Sequence, residues 1–294
     1  MVIIGIDIGG TNFRTGAVNE NGDMVKFEKI PTSRVISSGD VLKDIAGFIR
    51  AFSAEMDIQA VAVGFPATLD SERKKVIQAP NIPFMENLPV CEYLENELHV
   101  PVVAERDVTY ALCYDMEKYR IPKKGVTCGI YFGTGIGNVI SFEGRYLTGA
   151  HGTAGELGHI PVLGSDVVCG CGNTGCLEAV AGGKALVRIR DEFFPETDIS
   201  ELFTRHGNET VLKNFVDAMS AAVATEVNIL DPENILIGGG VMKMTDFPVE
   251  LLKECIRKRV RKPLPLRDMN MIFTDDEKDK SVRGGAIYAR KSIR

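Results

Sequence analysis

The fold is decided by the stretch Val2-Ile-Ile-Gly-Ile-Asp7-Ile-Gly-Gly-Thr11. Residues 2–8 form a nearly continuous apolar run rich in β-branched residues, which predicts a buried strand that breaks at the glycines. A second strand is predicted at 14–18, and a tight turn at Asn21-Gly22 leads to a third strand at 24–29. The opening segment therefore predicts three strands, with a glycine-rich turn after the first.

The same order recurs in residues 125–148. It comprises strand 126–132, loop Gly133-Thr134-Gly135-Ile136-Gly137, strand 138–142, a turn at Glu143-Gly144 and strand 146–148. A repeated three-strand unit followed by helices indicates two related lobes of an α/β fold. We expect a small lobe of residues 1–106, completed by a terminal helix at 283–294, and a large lobe of residues 107–282.

The remaining segments alternate between helical and strand patterns. Helices are predicted at 39–56, 88–98, 107–118, 182–193, 198–205, 208–230 and 247–261, and strands at 59–65, 100–104, 234–237 and 270–273. The charged run Lys278–Lys280 predicts a solvated loop.

Three glycine-rich turns each follow a predicted strand. Their residues are Gly9, Gly10 and Thr11; Gly133, Thr134, Gly135 and Gly137; and Gly238, Gly239 and Gly240. Glycine lets backbone amides form a concave array that binds phosphate oxygens, although each turn taken alone is also compatible with a tight turn that binds nothing. Because two of the turns hold equivalent places in the repeat and add a threonine hydroxyl, we expect them to bind a nucleotide.

Asp7 stands immediately before the first glycine turn. A carboxylate repels phosphate unless a cation lies between them, so its position implies Mg²⁺, held partly through water. Arg14 either balances charge there or forms a surface ion pair.

Asp107 is predicted to lie where a strand leads directly into a helix. One interpretation is a helix N-cap, which aspartate favours. The other is a general base that accepts the proton of an attacking hydroxyl during phosphoryl transfer. On the second interpretation, Glu156, His159 and Glu178 would bind a polyhydroxylated ligand.

Three cysteines and a histidine lie within eighteen residues: His159, Cys169, Cys171 and Cys176. Thiolate and imidazole are the ligands of tetrahedral zinc, and a Cys₃His set leaves no position open for a reactive water. The spacing therefore predicts a structural Zn²⁺ site, with buried thiols or a disulfide as the alternative. If one nitrogen of His159 binds zinc, the other remains able to donate to a substrate.

The composition describes a globular protein of 294 residues with a net charge of −6. Nucleic acid is held chiefly by Lys and Arg, so this charge argues against a nucleic-acid partner. We find neither an apolar run long enough to span a membrane nor a signal-peptide pattern. The odd number of cysteines fits a reducing compartment, and we expect a cytoplasmic protein.

The motifs together resemble those of the ROK family (repressors, open reading frames and sugar kinases), within the actin-like ATPase superfamily. They follow the family's order along almost the whole chain: Asp7-Ile-Gly-Gly-Thr11, Gly64-Phe-Pro66, Ala79-Pro-Asn81, Glu105-Arg-Asp107, Gly133-Thr-Gly-Ile-Gly137, Gly149-Ala-His-Gly152, Gly155-Glu-Leu-Gly-His159, the cysteine segment through Leu177-Glu178, and Gly238-Gly-Gly240. This resemblance implies a two-lobed, ribonuclease H-like fold with a cleft between the lobes. It also implies ATP, Mg²⁺ and a structural Zn²⁺ as cofactors.

The resemblance further implies residue roles in an ATP-dependent hexose kinase. Asp107 corresponds to the catalytic base; Asn81, Glu156, His159 and Glu178 correspond to sugar ligands; and the three cysteines with His159 correspond to the zinc site. We expect a hexose and ATP as ligands, phosphorylation of the 6-hydroxyl, and a homodimer.

Two positions depart from the family's glucose kinases. Arg106 replaces the usual asparagine before the catalytic aspartate, and Ala67 replaces the usual glycine after the Gly-x-Pro turn. Both changes are most similar to the family's bacterial D-allose kinases, and the residue before the base is expected to contact the sugar 3-hydroxyl. We therefore expect Arg106 to bind the substrate and D-allose to be that substrate.

Other family activities remain open. Glucokinase, fructokinase and N-acetylmannosamine kinase are the nearest alternatives. A sugar-sensing repressor is less favoured because such members carry a DNA-binding domain before the first glycine turn, whereas here the first strand begins at residue 2. A chaperone-type ATPase would have no use for the cysteine segment or the paired glutamates.

Overall fold

The computed structural model describes residues 1–293. Its strands, in chain order, are β1 Val2–Ile8, β2 Asn12–Asn19, β3 Met24–Pro31, β4 Ile58–Phe65, β5 Thr68–Leu69, β6 Val76–Gln78, β7 Val102–Arg106, β8 Val126–Phe132, β9 Ile136–Phe142, β10 Arg145–Tyr146, β11 Asn234–Gly238 and β12 Asn270–Phe273. The sequence did not predict the short hairpin β5–β6.

The α-helices are α1 Thr32–Val35, α2 Val41–Phe52, α3 Val90–Leu98, α4 Asp107–Lys118, α5 Glu178–Ala181, α6 Gly183–Phe193, α7 Leu202–His206, α8 Thr210–Leu230, α9 Val249–Arg259 and α10 Lys280–Ser292. Short 3₁₀ turns occur at Pro83–Met85, Leu157–His159, Ile199–Glu201 and Gly240–Lys243. None of the helices within residues 1–293 combines the length and hydrophobicity that a membrane span requires.

The first sheet has the order β3-β2-β1-β4-β7. Strands β1, β2 and β3 pair antiparallel, whereas β4 and β7 run parallel to β1. Buried residues of α2 and α3 pack with the sheet in one core, and α10 and α4 contribute to a second. Apolar residues cover both faces of β1, as expected for a central strand.

The second sheet has the equivalent order β10-β9-β8-β11-β12. Here β8, β9 and β10 pair antiparallel, and β11 and β12 run parallel to β8. Its core includes buried residues of α6, α8 and α9. The two sheets confirm the repeated α/β architecture, the actin-like ATPase fold.

The chain divides into two compact units. The first comprises Met1–Ile121, Thr148–Ala154 and Glu277–Arg294, and the second comprises Pro122–Leu147 and Gly155–Asp276. This grouping differs from the expected boundary at 106/107 because α4 packs against α10 and β4 of the first unit. The segment Thr148–Ala154 also joins the first unit, although the strands before it belong to the second.

Candidate active site

Asp7 lies at the carboxyl end of β1, where the parallel strands of the first sheet end. In the sheet register it pairs with Gly64 of β4, which in turn pairs with Glu105 of β7. On its other side Asp7 pairs with Arg14, whose Nη1 donates to Asp7 Oδ2 at 2.8 Å. The carboxyl ends of parallel strands are where open α/β sheets bind ligands, so this edge is the candidate chemical centre.

Asp107 begins α4 directly after β7, at the same edge. Its Oδ1 accepts a hydrogen bond from the Val108 amide at 2.8 Å. Arg106, not Asp107, holds the N-cap position of α4, and no side-chain capping bond forms there. The N-cap interpretation of Asp107 is therefore wrong.

Burial and mutual repulsion shift the acidity of the two aspartates. Burial raises the pKa of Asp7, and Arg14 opposes the rise. Burial of the carboxylate, followed by the negative charge of Asp7, raises the pKa of Asp107 to about 6. A carboxylate with such a pKa is basic enough to accept a proton and still ionised near neutral pH.

Asn81 lies beside the first glycine turn. Its carbonyl oxygen approaches Gly10 so closely that a Cβ at Gly10 would lie 2.6 Å from it. The turn itself is closed by a bond from the Gly9 amide to the Asn12 carbonyl at 2.9 Å. The structure thus brings Asn81 and Gly10 together, although 71 residues separate them in sequence.

Arg106 is buried, with only 7% of its surface exposed. Its Nη2 donates to the carbonyl of Ala154 at 3.3 Å, and its backbone amide donates to Glu105 Oε1 at 2.8 Å. The side chain is therefore held in place next to the proposed base instead of extending into solvent.

The other two glycine turns follow adjacent strands of the second sheet. Gly238, at the end of β11, pairs with Tyr131 of β8, so the loops after these strands share one edge. The amides of Gly183 and Lys184 at the start of α6 donate to the carbonyls of Gly133 and Thr134 at 2.8 and 3.0 Å. These bonds hold the loop against α6, and within the loop the Gly133 amide donates to the Gly135 carbonyl at 3.0 Å.

Glu178 contacts the same loop from the start of α5. Its Oε2 accepts from the Ile136 amide at 2.9 Å. A Cβ at Gly135 would lie 2.0 Å from that oxygen, so only glycine fits there without displacing the carboxylate. Gly135 therefore leaves room for Glu178, the proposed sugar ligand, and also belongs to the proposed phosphate-binding loop.

Glu156 and His159 lie on one short turn, in which Glu156 immediately precedes the 3₁₀ segment that ends at His159. His159 Nε2 lies 3.6 Å from Glu156 Oε2, and its Nδ1 lies 3.7 Å from Cys169 Sγ. One ring nitrogen therefore faces a cysteine, while the other faces the carboxylate of Glu156.

The ligand atoms of His159, Cys169, Cys171 and Cys176 all lie within 4.8 Å of one another. Cys171 Sγ and Cys176 Sγ are 3.6 Å apart, and all seven cysteines are free thiols, so the disulfide alternative is wrong. Ligands about 2.0–2.3 Å from a tetrahedral zinc are about 3.4–3.8 Å from one another, and these two separations agree with that geometry.

The structure brings the predicted residues together in two groups, one in each unit. Asp7, Gly9, Gly10, Thr11, Asn81, Arg106 and Asp107 belong to the first unit, and the predicted residues from Gly133 onward belong to the second. The sequence did not point to Arg73, whose guanidinium reaches Glu105 and Gly152. Its place in a polar turn gave no signal of these contacts.

Known proteins resemble the chain over nearly its full length. The model of the ROK family matches residues 3–292. A glucokinase of Thermotoga maritima is 32% identical over 276 residues, which cover 86% of each chain. An N-acetyl-D-glucosamine kinase of Vibrio cholerae is 26% identical over 285 residues, covering 88% of this chain and 89% of that enzyme.

A solved structure gives the same result. The ROK family glucokinase of Streptomyces griseus, in complex with glucose and AMPPNP, superposes with a TM-score of 0.82 at 25% identity, covering 99% of this chain and 100% of that enzyme. The chain therefore belongs to the ROK family, as one of its sugar kinases.

Proposed function

We propose that this kinase transfers the γ-phosphoryl group of ATP to the 6-hydroxyl of an aldohexose, and that the aldohexose is D-allose. The observation that carries the phosphoryl-transfer proposal is Asp107, at the carboxyl edge of the first sheet with a pKa raised to about 6. Phosphoryl transfer needs little covalent help from the protein beyond positioning, charge neutralisation and a base for the attacking hydroxyl. Asp107 supplies that base.

Asp7 is the proposed protein contact of Mg²⁺. The negative charge of Asp7 raises the pKa of Asp107, and a divalent cation bound to Asp7 would offset that repulsion. Bound there, Mg²⁺ would neutralise the charge of the phosphates. The glycine turns supply backbone amides for the phosphate oxygens.

The Cys₃His cluster is the proposed structural zinc site. Its donor set and the separations of two ligand pairs fit tetrahedral zinc, and no carboxylate or water is needed to complete four ligands. His159 would bind through Nδ1, which keeps Nε2 beside Glu156. The metal would thereby fix the turn that carries two proposed sugar ligands.

Arg106 supports the choice of D-allose. Its buried guanidinium is fixed by Ala154 beside the base, so it offers several N–H donors at a defined place. D-Allose and D-glucose differ in the orientation of the 3-hydroxyl, and a site built to bind one orientation leaves polar groups unpaired with the other.

Glucose is the second candidate. The glucokinases of Thermotoga maritima and Streptomyces griseus are among the relatives of the chain, and the latter binds glucose in its solved structure. The N-acetyl-D-glucosamine kinase of Vibrio cholerae adds a third sugar, and fructose and N-acetylmannosamine remain further alternatives.

A panel of hexoses with ATP, read as ADP release, separates these candidates. We expect kcat/KM to be higher for allose than for glucose, and Arg106→Asn to shift the ratio toward glucose. The shift should be about 5- to 150-fold, since a lost or mismatched polar contact costs about 1–3 kcal/mol. Comparable efficiency on both sugars, unchanged in the variant, would favour the glucokinase alternative.

We also propose a cytoplasmic homodimer. Seven cysteines without a disulfide are compatible with a reducing compartment, and the cysteine segment exposes the large apolar side chains Leu163 and Val168. Light scattering during size-exclusion chromatography tests the dimer, and a monomeric mass at micromolar concentration would contradict it.

A further inference from the structure

We propose that Arg73 is a positioning residue for sugar binding: it fixes the segment that leads into Glu156 to the strand that leads into Asp107. Its Nε lies 3.1 Å from Glu105 Oε2, and its Nη1 donates to the Gly152 carbonyl at 3.0 Å. The inference rests on the proposed roles of Asp107 and Glu156, but not on which hexose is the substrate.

Glu105 is the centre of this arrangement. Only 1% of its side chain is exposed, so its negative charge requires a partner within the protein. One carboxylate oxygen accepts from the Arg106 amide and the other faces Arg73. Glu105 therefore connects Arg73 to the backbone immediately before the proposed base.

Arg73 and Arg106 hold two carbonyls of the same segment. Arg73 donates to Gly152 and Arg106 donates to Ala154, and both carbonyls lie within the four residues before Glu156. Glu156 thus follows a stretch of backbone in which two carbonyls are held by the half-buried Arg73 and the buried Arg106. A carboxylate on a fixed backbone binds a sugar hydroxyl more tightly, because less conformational freedom is lost on binding.

The hairpin β5–β6 places Arg73 for this role. Arg73 adopts φ of +59°, an uncommon conformation for a residue with a side chain, in the loop of the hairpin. Asp70 stabilises the loop, because its carboxylate accepts from the amides of Lys74 and Lys75 at 2.7 and 3.2 Å. Backbone strain of this kind tends to persist where the surrounding structure requires a particular side-chain direction.

Gly152 shows how closely the two segments fit. It has φ of +78°, and a Cβ there would lie 2.3 Å from the Leu69 carbonyl and 3.2 Å from Arg73 Nη1. A side chain at this position would separate the segment from the hairpin. The contact between Arg73 and the Gly152 carbonyl is therefore made where only glycine fits.

The test separates positioning from stability with two variants. Arg73→Lys keeps a positive charge for Glu105 but lacks the planar fork that reaches Glu105 and Gly152 together. The double variant Arg73→Met/Glu105→Gln removes both charges, so no buried carboxylate is left unpaired. We expect the melting temperature of one or both to stay near the wild-type value; a large fall in both would overturn the proposal in favour of a purely structural role.

In the variant that retains its stability we expect the KM and Kd of the best hexose to rise about 10- to 100-fold, as misplaced substrate groups can cost. The KM of ATP should stay within about twofold, because the contacts of Arg73 lie outside the glycine turns. A stable variant with wild-type hexose KM and Kd overturns the proposal, and so does an equal loss in the KM of both substrates.

Arg50→Met/Glu97→Gln is the matched control. Arg50 also pairs with a glutamate of the first unit and donates to a carbonyl, that of Glu97, but on helices α2 and α3. This double variant should leave the KM of the hexose and the KM of ATP unchanged. Using the hexose that the wild type converts best keeps this test independent of the allose proposal, and Asp107→Asn tests the role of the base separately.

Discussion

The two sheets have the same strand order but carry different side chains at equivalent places. Asp7 pairs with Gly64 in the first sheet, and Tyr131 pairs with Gly238 at the corresponding register of the second. Both residues stand next to the end of the central strand, and both are nearly buried. One backbone framework therefore holds a carboxylate in one unit and a phenol ring in the other.

This difference matches the different roles proposed for the two edges. The first edge gathers Asp7, Arg14, Arg106 and Asp107, among them the residues proposed for Mg²⁺ and for proton transfer. The second edge presents two glycine turns and is supported by a segment that carries the Cys₃His cluster. The repeat determines the framework, whereas side chains at single positions determine what each half does.

The largest expected effect comes from removing the base on the first edge. Asp107→Asn should lower kcat by about 10²- to 10⁴-fold, the usual contribution of general-base catalysis, while hexose binding measured by calorimetry remains detectable. Steady-state ADP release is the measurement.

Asp275→Asn is the control on the second edge. Asp275 also follows the last strand of its sheet and pairs with Lys243 at the surface. We expect its kcat to stay within about twofold of wild type, since surface ion pairs contribute little. Near-normal turnover in Asp107→Asn would remove the catalytic distinction between the edges.

The next effect concerns the cysteine segment of the second unit. We expect one zinc per chain by elemental analysis, and Cys171→Ser should lower zinc content, melting temperature and hexose affinity together, because metal binding is coupled to local folding. The melting temperature should fall by several degrees, at about 2–4 °C for each kcal/mol lost.

Cys255→Ser provides the control for that change, since Cys255 lies on α9 outside the cluster. It should retain its zinc and its hexose affinity. Absence of zinc from protein purified without chelators would contradict the metal prediction.

The smallest expected effect is on stability, and its sign follows from the raised pKa of Asp107. Between the ordinary value of 3.8 and about 6, the folded protein binds the Asp107 proton more tightly than the unfolded chain does. The contribution of Asp107 to the free energy of unfolding is therefore fully present below pH 3.8 and is lost as the pH rises to 6. The loss is at most about 3 kcal/mol, since each unit of pKa shift corresponds to about 1.36 kcal/mol.

Asparagine has no proton to lose, so Asp107→Asn should unfold at higher temperature than the wild type above pH 6. The difference should shrink toward pH 4. Thermal unfolding at pH 4 to 8 measures it, with Asp275→Asn as the exposed counterpart. A difference that is constant with pH would contradict the shifted pKa.

Sequence patterns predicted the features that depend on neighbours along the chain. The apolar run of residues 2–8 and its counterpart at 126–132 became the central strands β1 and β8, because β-branched residues without polar interruptions favour a buried strand. Spacing alone also identified His159 and the three cysteines, whose ligand atoms converge in the structure.

Charged residues were harder to interpret because their partners lie far away in sequence. Lys280 was predicted in a solvated loop, yet it begins α10 with 5% exposure, and its ammonium pairs with Asp115 at 3.0 Å. The prediction was wrong because a buried charge depends on a partner that local composition does not reveal.

By itself, the sequence determined the repeated three-strand units, the glycine turns and the Cys₃His spacing, because each is encoded by residues within about thirty positions of one another. Only the tertiary structure decided that α4 packs with the first unit, that Arg106 is buried, and that Arg73 reaches Glu105 and Gly152. The contacts of Arg73 join residues that are 32 and 79 positions apart in sequence. They form because folding brings the buried carboxylate of Glu105 and the carbonyls of Gly152 and Ala154 to guanidinium groups that can pair with them.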